Sequence, residues 1–374
     1  MSKKIICLTY QSFPSEKANS IATVLTLKCF KKLGYEIELI FPRRRKDSSD
    51  DLNIFKKFYN LDEDITIKML PHNLPFEKFE IFKNLLFNLS HFLWSFKAVL
   101  KINKNENASF YTRSDWILLF LAIKGRVVVF ECHQRSRLRK LIFYIVKNKK
   151  NVLIIFINSS LLNHYSYEGS NHIILNSAYD EDEFSSKSIE KTVNQVVFIG
   201  HLLRFEKERN INFLIHTFQD LRLEKYKLIL AGGPKEYSDS LVKQIEEKNI
   251  KNIEITGWLN RTAVVELILQ SEIGILINSE KSIHSREFTS PIKYFEYLRG
   301  GLKVLAVDFS SHKNLPLSEN ITFFSNNNKE DFIKKLVSLK TSPDVLTNDI
   351  NKFSYMERTK NIAARLEGLE PPTL

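Results

Sequence analysis

Cysteine is scarce in this chain: Cys7, Cys29 and Cys132 are the only three in 374 residues. Their spacing suits neither a zinc site nor a disulfide framework, so a reducing compartment fits. No apolar run approaches the roughly 18 residues that a membrane-crossing helix needs. The opening MSKKIICLTY is too briefly apolar for a secretory signal and reads as a first buried strand. An internal repeat, a low-complexity tail, zinc-finger spacing and the interleaved aromatics of a nucleic-acid surface are also missing. Acid is short relative to base, with 43 Asp and Glu against 55 Lys and Arg, a net charge of +12. Such a surplus suits nucleic acid, anionic lipid or a phosphate-bearing small substrate. Without the aromatic interleaving, no nucleic-acid partner is expected.

What is present is a rhythm of short apolar strands and helical segments. The chain is long for one core, and at 43% hydrophobic it can bury two. Residues 5–9 read as a strand, 10–19 as a polar loop, 21–33 as a helix closed by Gly34, and 36–41 as the next strand. This βαβ opening puts its first loop where ligands bind in parallel sheets. Residues 43–75 carry no clear element. Residues 76–102 read as helical and aromatic, either a core helix pair or a membrane-touching surface. Strands at 109–111, 127–132, 151–157 and 172–175 complete a first half. The acidic stretch 180–191, without Gly or Pro, reads as a linker. Strands at 195–199, 227–230, 253–255, 273–276 and 304–307 then form a second series with helices between. A last helix at 355–366 lies beyond it. The expected class is α/β with two doubly wound, Rossmann-like domains.

The densest chemistry lies in FTSPIKYFEYLRGGLKVLAV, residues 288–307. A helix beginning near Pro291 leaves unpaired N–H groups, including that of Ile292, and with Ser290 and Lys293 these suit a diphosphate. Glu296 shares a face with Lys293 and can accept hydrogen bonds from a ribose. Gly200 ends a strand and opens a basic loop holding Arg204, Lys207 and Arg209, whose charges can neutralise a diphosphate leaving group. Gly232 and Gly233 form a tight turn at the same sheet edge. His133 follows the strand VVVFEC, where it could bind a sugar hydroxyl or carry a proton. Arg113 and Asp115 follow SFYT and could contact an acceptor or hold an interdomain cleft. Between His133 and Lys150 stand seven Lys or Arg and no Asp or Glu, around the apolar run LIFYIV, a face suited to anionic lipid.

Together these residues resemble the large retaining glycosyltransferase family of GT-B architecture that contains bacterial lipopolysaccharide, capsule and mannosyl transferases (glycosyltransferase family 4-like). SPIKYFEYLRGGLKVLA resembles its donor signature. NIEITGWLNRTAVVELILQSEIGILI resembles its base-binding stretch, where Gly257 and Trp258 would lie by the nucleobase. SYMERTKNIAARL resembles its closing helix. ANSIATVLTLKCFKKLGYEIELI resembles its opening βα unit, with Asn19 and Ser20, on the acceptor side, in place of a frequent glycine pair. VVFECHQ resembles the strand whose histidine meets the donor sugar, here His133. Arg209 falls where the family keeps a diphosphate-binding lysine, and Glu296 would bind the ribose. The family often carries a second glutamate eight residues before the first; Phe288 stands there, with Glu287 one residue off.

The resemblance implies two Rossmann-like domains facing across a cleft. Residues 1–185 would be the acceptor-side domain, 190–345 the nucleotide-sugar domain, and 350–370 a closing helix returning toward the first. It implies transfer of a hexose-like sugar, with retained configuration, from a UDP-, GDP- or dTDP-sugar to a hydroxyl of a glycan or lipid-linked glycan in bacterial surface polysaccharide synthesis. The expected route is front-side attack helped by a donor phosphate oxygen, with domain closure expelling water. No DxD-like pair stands in a convincing loop, so neither a metal nor a further cofactor is expected. The expected location is cytoplasmic, with the inner face of the cytoplasmic membrane as a candidate surface. Rival readings are a non-catalytic sugar-nucleotide-binding protein and a GT-B sugar-nucleotide epimerase.

Overall fold

The structure is a computed structural model that describes residues 4–72, 83–103, 106–184, 189–204, 207–339 and 348–369. The chain divides into two compact units, Met1–Leu175 with Tyr355–Leu374, and Asn176–Ser354.

The first unit is built on seven parallel strands: β1 Lys4–Leu8, β2 Glu36–Pro42, β3 Thr66–Leu70, β4 Ser109–Thr112, β5 Val128–Cys132, β6 Val152–Phe156 and β7 His172–Ile174. They lie in the order β3-β2-β1-β4-β5-β6-β7. β5 (VVFEC) and β6 (VLIIF) are buried at every position, as strands covered on both faces must be. The helices are α1 Ala18–Lys32, α2 Leu52–Tyr59, α3 Lys83–Leu100, α4 Asp115–Ile123, α5 Arg137–Val146 and α6 Ser159–Tyr165.

α1 begins earlier than its sequence suggests. The Lys17 carbonyl accepts from the N–H groups of Ser20 and Ile21, so Asn19 and Ser20 form the first helical turn rather than the loop's end. The unassigned stretch 43–75 holds α2 and β3. The Asp51 carboxylate caps α2 by accepting from the N–H of Asn53 and Ile54. β3 is a half-exposed edge strand whose lysine breaks its apolar run. In α3, Trp94 is buried whereas Leu85, Leu89, Phe96 and Leu100 face solvent; Phe76, Phe79 and Phe82 lie outside the described residues.

The second unit has a six-stranded parallel sheet of β8 Gln195–Ile199, β11 Lys227–Ala231, β12 Ile253–Gly257, β13 Ile273–Leu276, β14 Lys303–Val307 and β15 Ile321–Phe324, ordered β12-β11-β8-β13-β14-β15. β15 adds a short edge strand that the sequence did not announce. A two-residue hairpin, β9 Leu203–Arg204 and β10 Lys207–Glu208, stands apart from the sheet. Its helices are α7 Ile211–Thr217, α8 Lys235–Glu247, α9 Arg261–Gln270, α10 Ile283–Glu287, α11 Ile292–Arg299, α12 Ser310–Lys313 and α13 Lys329–Ser338.

Alternate residues of β8 feed two cores. Val196 and Phe198 join one with Leu228 and Leu230, while Val197 and Ile199 join the other with Ile229 and Ala231. This is the period-2 geometry of a strand. Part of the acidic stretch after Asp180 belongs to this packing. Phe184 enters the second core, and the Lys191 ammonium donates to the carbonyls of Ser271 and Gly300. The last helix, α14 Tyr355–Glu367, returns to the first unit, where Ile362, Ala363 and Leu366 pack with Val24 and Leu27.

Candidate functional site

In the second unit, the exits of β8 and β11 press together through two glycines. Gly200 (φ 120°) and Gly232 (φ 153°) both occupy backbone conformations that favour glycine. A Cβ on Gly232 would lie 1.9 Å from the Gly200 carbonyl oxygen. Two cations converge at Gly200: the Lys293 ammonium lies 3.7 Å, and Arg209 Nη1 4.0 Å, from where a Cβ on that glycine would sit.

Both cations are held from below. Lys293 Nζ stands 3.7 Å from the Phe198 ring centroid and the Arg209 guanidinium 5.7 Å from it. Arg209 Nε and Nη2 donate to Asn278 Oδ1 at 2.9 and 2.5 Å, and Nη1 donates to the His201 carbonyl. Asn278 follows β13 and is buried. His312 registers the resulting field. Burial first, then the charges of Lys293 and Arg209, push its imidazole down to about 4, although it bonds the Val307 carbonyl. Two like charges placed together at a strand exit suit an anion.

Lys293 lies in the first turn of α11, after Pro291 and Ile292, and no side chain caps that helix. The Ser290 hydroxyl accepts from the Ser177 N–H, and the Ser290 carbonyl accepts from the Ser177 hydroxyl. Ser290 therefore anchors the entry to α11. Glu296 is buried, and its Oε1 accepts from Arg261 Nη2 at 2.5 Å. Arg261 Nε also donates to Glu183, whose carboxyl is pushed above its ordinary range by burial against the opposing pull of Arg261. Glu296 thus stands in a Glu183–Arg261–Glu296 chain.

A third strand exit completes this edge. Gly257 (φ 67°) ends β12, and Trp258 after it is 43% exposed. The indole meets the His201 ring edge-on at 4.8 Å, and its Nε1 lies 2.2 Å from where a Cβ on Gly233 would sit. Arg204 and Lys207 pair in the small hairpin, and their side chains are outside the described residues.

In the first unit, the predicted residues gather around one the sequence reading passed over. Glu131 is fully buried on β5. Its Oε2 accepts from Arg113 Nε and Nη2 at 3.0 and 2.5 Å and lies 2.8 Å from His133 Nε2. Its Oε1 pairs with Arg358 Nη2 of α14 at 2.6 Å. Burial alone would raise this carboxyl, but Arg358, Arg113 and His133 hold it well below the usual range. Arg113 Nη1 also donates to the Asn19 carbonyl at 2.7 Å.

Asn19, Arg113 and His133 are thereby brought together. Ser20 is buried in α1, and Asp115 instead pairs with Arg139 of α5 through Arg139 Nε at 2.7 Å and Nη2 at 3.2 Å. The missed residues are Glu131, Arg358, Asn278 and Arg261. Glu131 had a readable signal, a single acid inside the apolar strand VVVFEC, because a buried carboxylate needs cationic partners.

Two parallel-sheet Rossmann-like units define the GT-B class of fold, and in the second unit two cations meet at the strand exits. Residues 180–355 match the model of the family described as glycosyl transferases group 1. No curated protein matches the chain in sequence. Solved structures share the fold over nearly the whole length. A glycosyltransferase from Rickettsia africae is 15% identical, with 99% of each chain covered and a TM-score of 0.68. The lipopolysaccharide outer core galactosyltransferase WaaB is 11% identical, covering 97% of this chain and 99% of its own, with a TM-score of 0.64. The pneumococcal O-GlcNAc transferase GtfA, solved with UDP and GlcNAc, is 9% identical, covering 98% and 99%, with a TM-score of 0.66.

Proposed function

We propose that the protein is a retaining glycosyltransferase that moves a sugar from a nucleoside diphosphate to a hydroxyl of a glycan or lipid-linked glycan in bacterial surface polysaccharide synthesis. The observation that carries this reading is the convergence of Lys293 and Arg209 at Gly200. Negative charge grows on the departing diphosphate as the glycosidic bond breaks, and two fixed cations beside an uncapped helix start stabilise that charge most in the transition state. In this reading they do the charge neutralisation without a metal. Trp258, with Gly257, would pack on the base, and Glu296 would take the ribose hydroxyls. In this reading Gly232 and Gly233 let the backbone approach the phosphates, and Arg204 and Lys207 remain candidate diphosphate contacts from the sequence. His133 would bond the transferred sugar, with Asn19 and Arg113 on the acceptor side.

The first unit also carries a surface suited to a membrane holding such an acceptor. Leu141, Tyr144 and Ile145 of α5 are exposed, whereas Ile142, Phe143 and Val146 are buried. Lys147 stands over the Tyr144 ring at 4.8 Å. No helix among the described residues is long and apolar enough to cross a membrane. A cytoplasmic enzyme resting on anionic lipid fits this pattern.

The test is a thermal-shift screen with UDP-glucose, GDP-mannose and dTDP-glucose, followed by transfer assays with the stabilising donor. Stabilisation that disappears in Arg209→Ala and Lys293→Ala supports the reading. Stabilisation without turnover on any glycan acceptor would favour a sugar-nucleotide-binding protein. No stabilisation by any nucleotide sugar would overturn the donor site.

A further inference from the structure

We infer that Glu131 is a positioning residue that fixes His133 as its Nε2–H tautomer, so that the imidazole presents its Nδ1 lone pair as a hydrogen-bond acceptor. This rests on the reading of His133 as a sugar contact and states which way that contact runs. The sugar hydroxyl donates and His133 accepts.

The argument begins with hydrogen counting at Glu131. Its carboxylate is wholly buried and shared by two guanidinium groups, Arg113 from the loop after β4 and Arg358 from α14. Each guanidinium is itself nearly buried, with 9% and 5% of its side chain exposed. A carboxylate held by two arginines is ionised and has no proton to give. The 2.8 Å contact between Glu131 Oε2 and His133 Nε2 therefore requires the hydrogen to sit on Nε2. Charge counting then fixes the ring as neutral. Two arginines and one carboxylate already leave one positive charge in the cluster, and an imidazolium would add a second. Among the described residues, further titratable groups near the cluster are the phenol of Tyr111, which the Glu131, Arg113 and Arg358 charges influence, the phenol of Tyr355, near Arg113 and Arg358, and the Cys7 thiol, which Arg113 and Glu131 influence. Burial pushes the phenol of Tyr111 and the thiol of Cys7 up, so both stay protonated and add no charge. Burial and the Arg113 charge accordingly lower the His133 imidazole to about 4, against the opposing pull of Glu131.

A neutral imidazole carrying its hydrogen on Nε2 has a bare Nδ1. About a quarter of the side chain, 28%, remains accessible, while the Nε2 edge faces buried Glu131. His133 therefore reads a hydroxyl by accepting from it and does not serve as a proton donor near neutral pH. Arg358 gives α14 a part in this arrangement. The helix that returns to the first unit supplies one of the two charges that keep Glu131 ionised.

The tautomer is measured directly by nitrogen-15 NMR of histidine-labelled protein, with His133→Asn identifying the His133 signals by their loss. The expected spectrum shows an unprotonated Nδ1 and a protonated Nε2, unchanged between about pH 5 and 8. In Glu131→Gln, the amide can donate as well as accept, so the His133 signals shift toward the other tautomer. A protonated Nδ1 in the unsubstituted protein overturns the inference, and so do identical His133 signals in Glu131→Gln. Should that variant fail to fold, the unsubstituted protein alone still decides. In transfer assays with UDP-glucose, GDP-mannose and dTDP-glucose, Glu131→Gln should lose about tenfold or more in kcat/KM. His133→Asn, whose amide oxygen falls near the place of Nδ1, should retain more activity than His133→Gln; equal losses would overturn the acceptor role. The NMR measurement needs no sugar nucleotide. A locked tautomer in a protein with no transferase activity would thus refute the proposed function while leaving the Glu131–His133 assignment in place.

Discussion

The Lys293 ammonium lies over the Phe198 ring, 3.7 Å from its centroid, and Arg209 approaches the same ring from the loop before α7. The aromatic face partly offsets the cost of holding two cations together, and an anion between them would offset more. Removing either cation should therefore weaken nucleotide binding more than it weakens the fold. A charge-assisted hydrogen bond contributes about 1.5–3 kcal/mol, so Lys293→Ala and Arg209→Ala should each lower UDP or GDP affinity about tenfold to a hundredfold by titration calorimetry. Arg209→Lys should recover little, because a lysine cannot reproduce the fork that bonds both Asn278 and the His201 carbonyl. Raising the salt should weaken binding to the unsubstituted protein more than to either variant.

Glu296 presents a sharper choice, since its visible partner is Arg261. If it binds the ribose, Glu296→Gln should lower donor affinity by roughly 1–2 kcal/mol, and Arg261→Met should lower it less. Equal losses in the two variants would mean that Glu296 acts only by holding Arg261. Arg261 keeps Glu183 as a partner in Glu296→Gln, so the variant should remain folded by circular dichroism.

Gly232 and Gly34 separate crowding from backbone strain. Both have positive φ, 153° and 87°. A Cβ at Gly34 meets nothing within 4 Å, whereas one at Gly232 meets the Gly200 carbonyl at 1.9 Å. Gly34→Ala should cost about 1 kcal/mol through strain alone. Gly232→Ala should cost about 2–4 kcal/mol and disturb the anion position. Urea denaturation of the two variants measures both costs, and equal costs would show that the β8 and β11 exits relax freely.

The sequence made the regular parts legible. Strands such as VLIIF and QVVFI are buried on both faces, so their apolar runs stand out, and α14 announces itself through its helical period. β3 and β15 were hidden for the opposite reason. Edge strands are short and only partly buried, and TIKML and ITFF carry weaker patterns. Lys293 and Glu296 stand out in the sequence because they lie three residues apart on one helix, whereas the partners the fold gives them, Arg209 beside Lys293 and Arg261 on Glu296, come from distant segments. The Glu131 cluster was not legible. Its members are Arg113, Glu131 and Arg358, and the last is 227 positions beyond Glu131 in the chain. Only folding α14 back onto the first unit brings that guanidinium to β5. Asp115 illustrates the converse, because nearness to Arg113 in sequence did not bring it to the same partner: Arg139 holds it instead.

Buried histidines should make the protein acid-sensitive as the pH falls below about 6.5. Burial is the main cause for each. It lowers His91 to about 3, with the Arg44 charge adding to the effect, and His133 and His312 to about 4. In the unfolded chain each would titrate near about 6.5. Above that value both states are neutral and the histidines contribute no pH dependence. As the pH falls below it, the unfolded chain takes up protons that the folded one refuses, so stability declines until the folded values are reached. The limiting slope is about 1.4 kcal/mol per pH unit for each histidine, or on the order of 2 kcal/mol per group by about pH 5. The melting temperature should therefore fall steadily from pH 7 to pH 5. His312→Asn removes one titrating group and keeps an amide near the Val307 carbonyl, so its curve should be shallower by one histidine's share. A melting temperature that is flat over this interval would show that the three imidazoles take up protons in the folded protein as readily as in the unfolded chain.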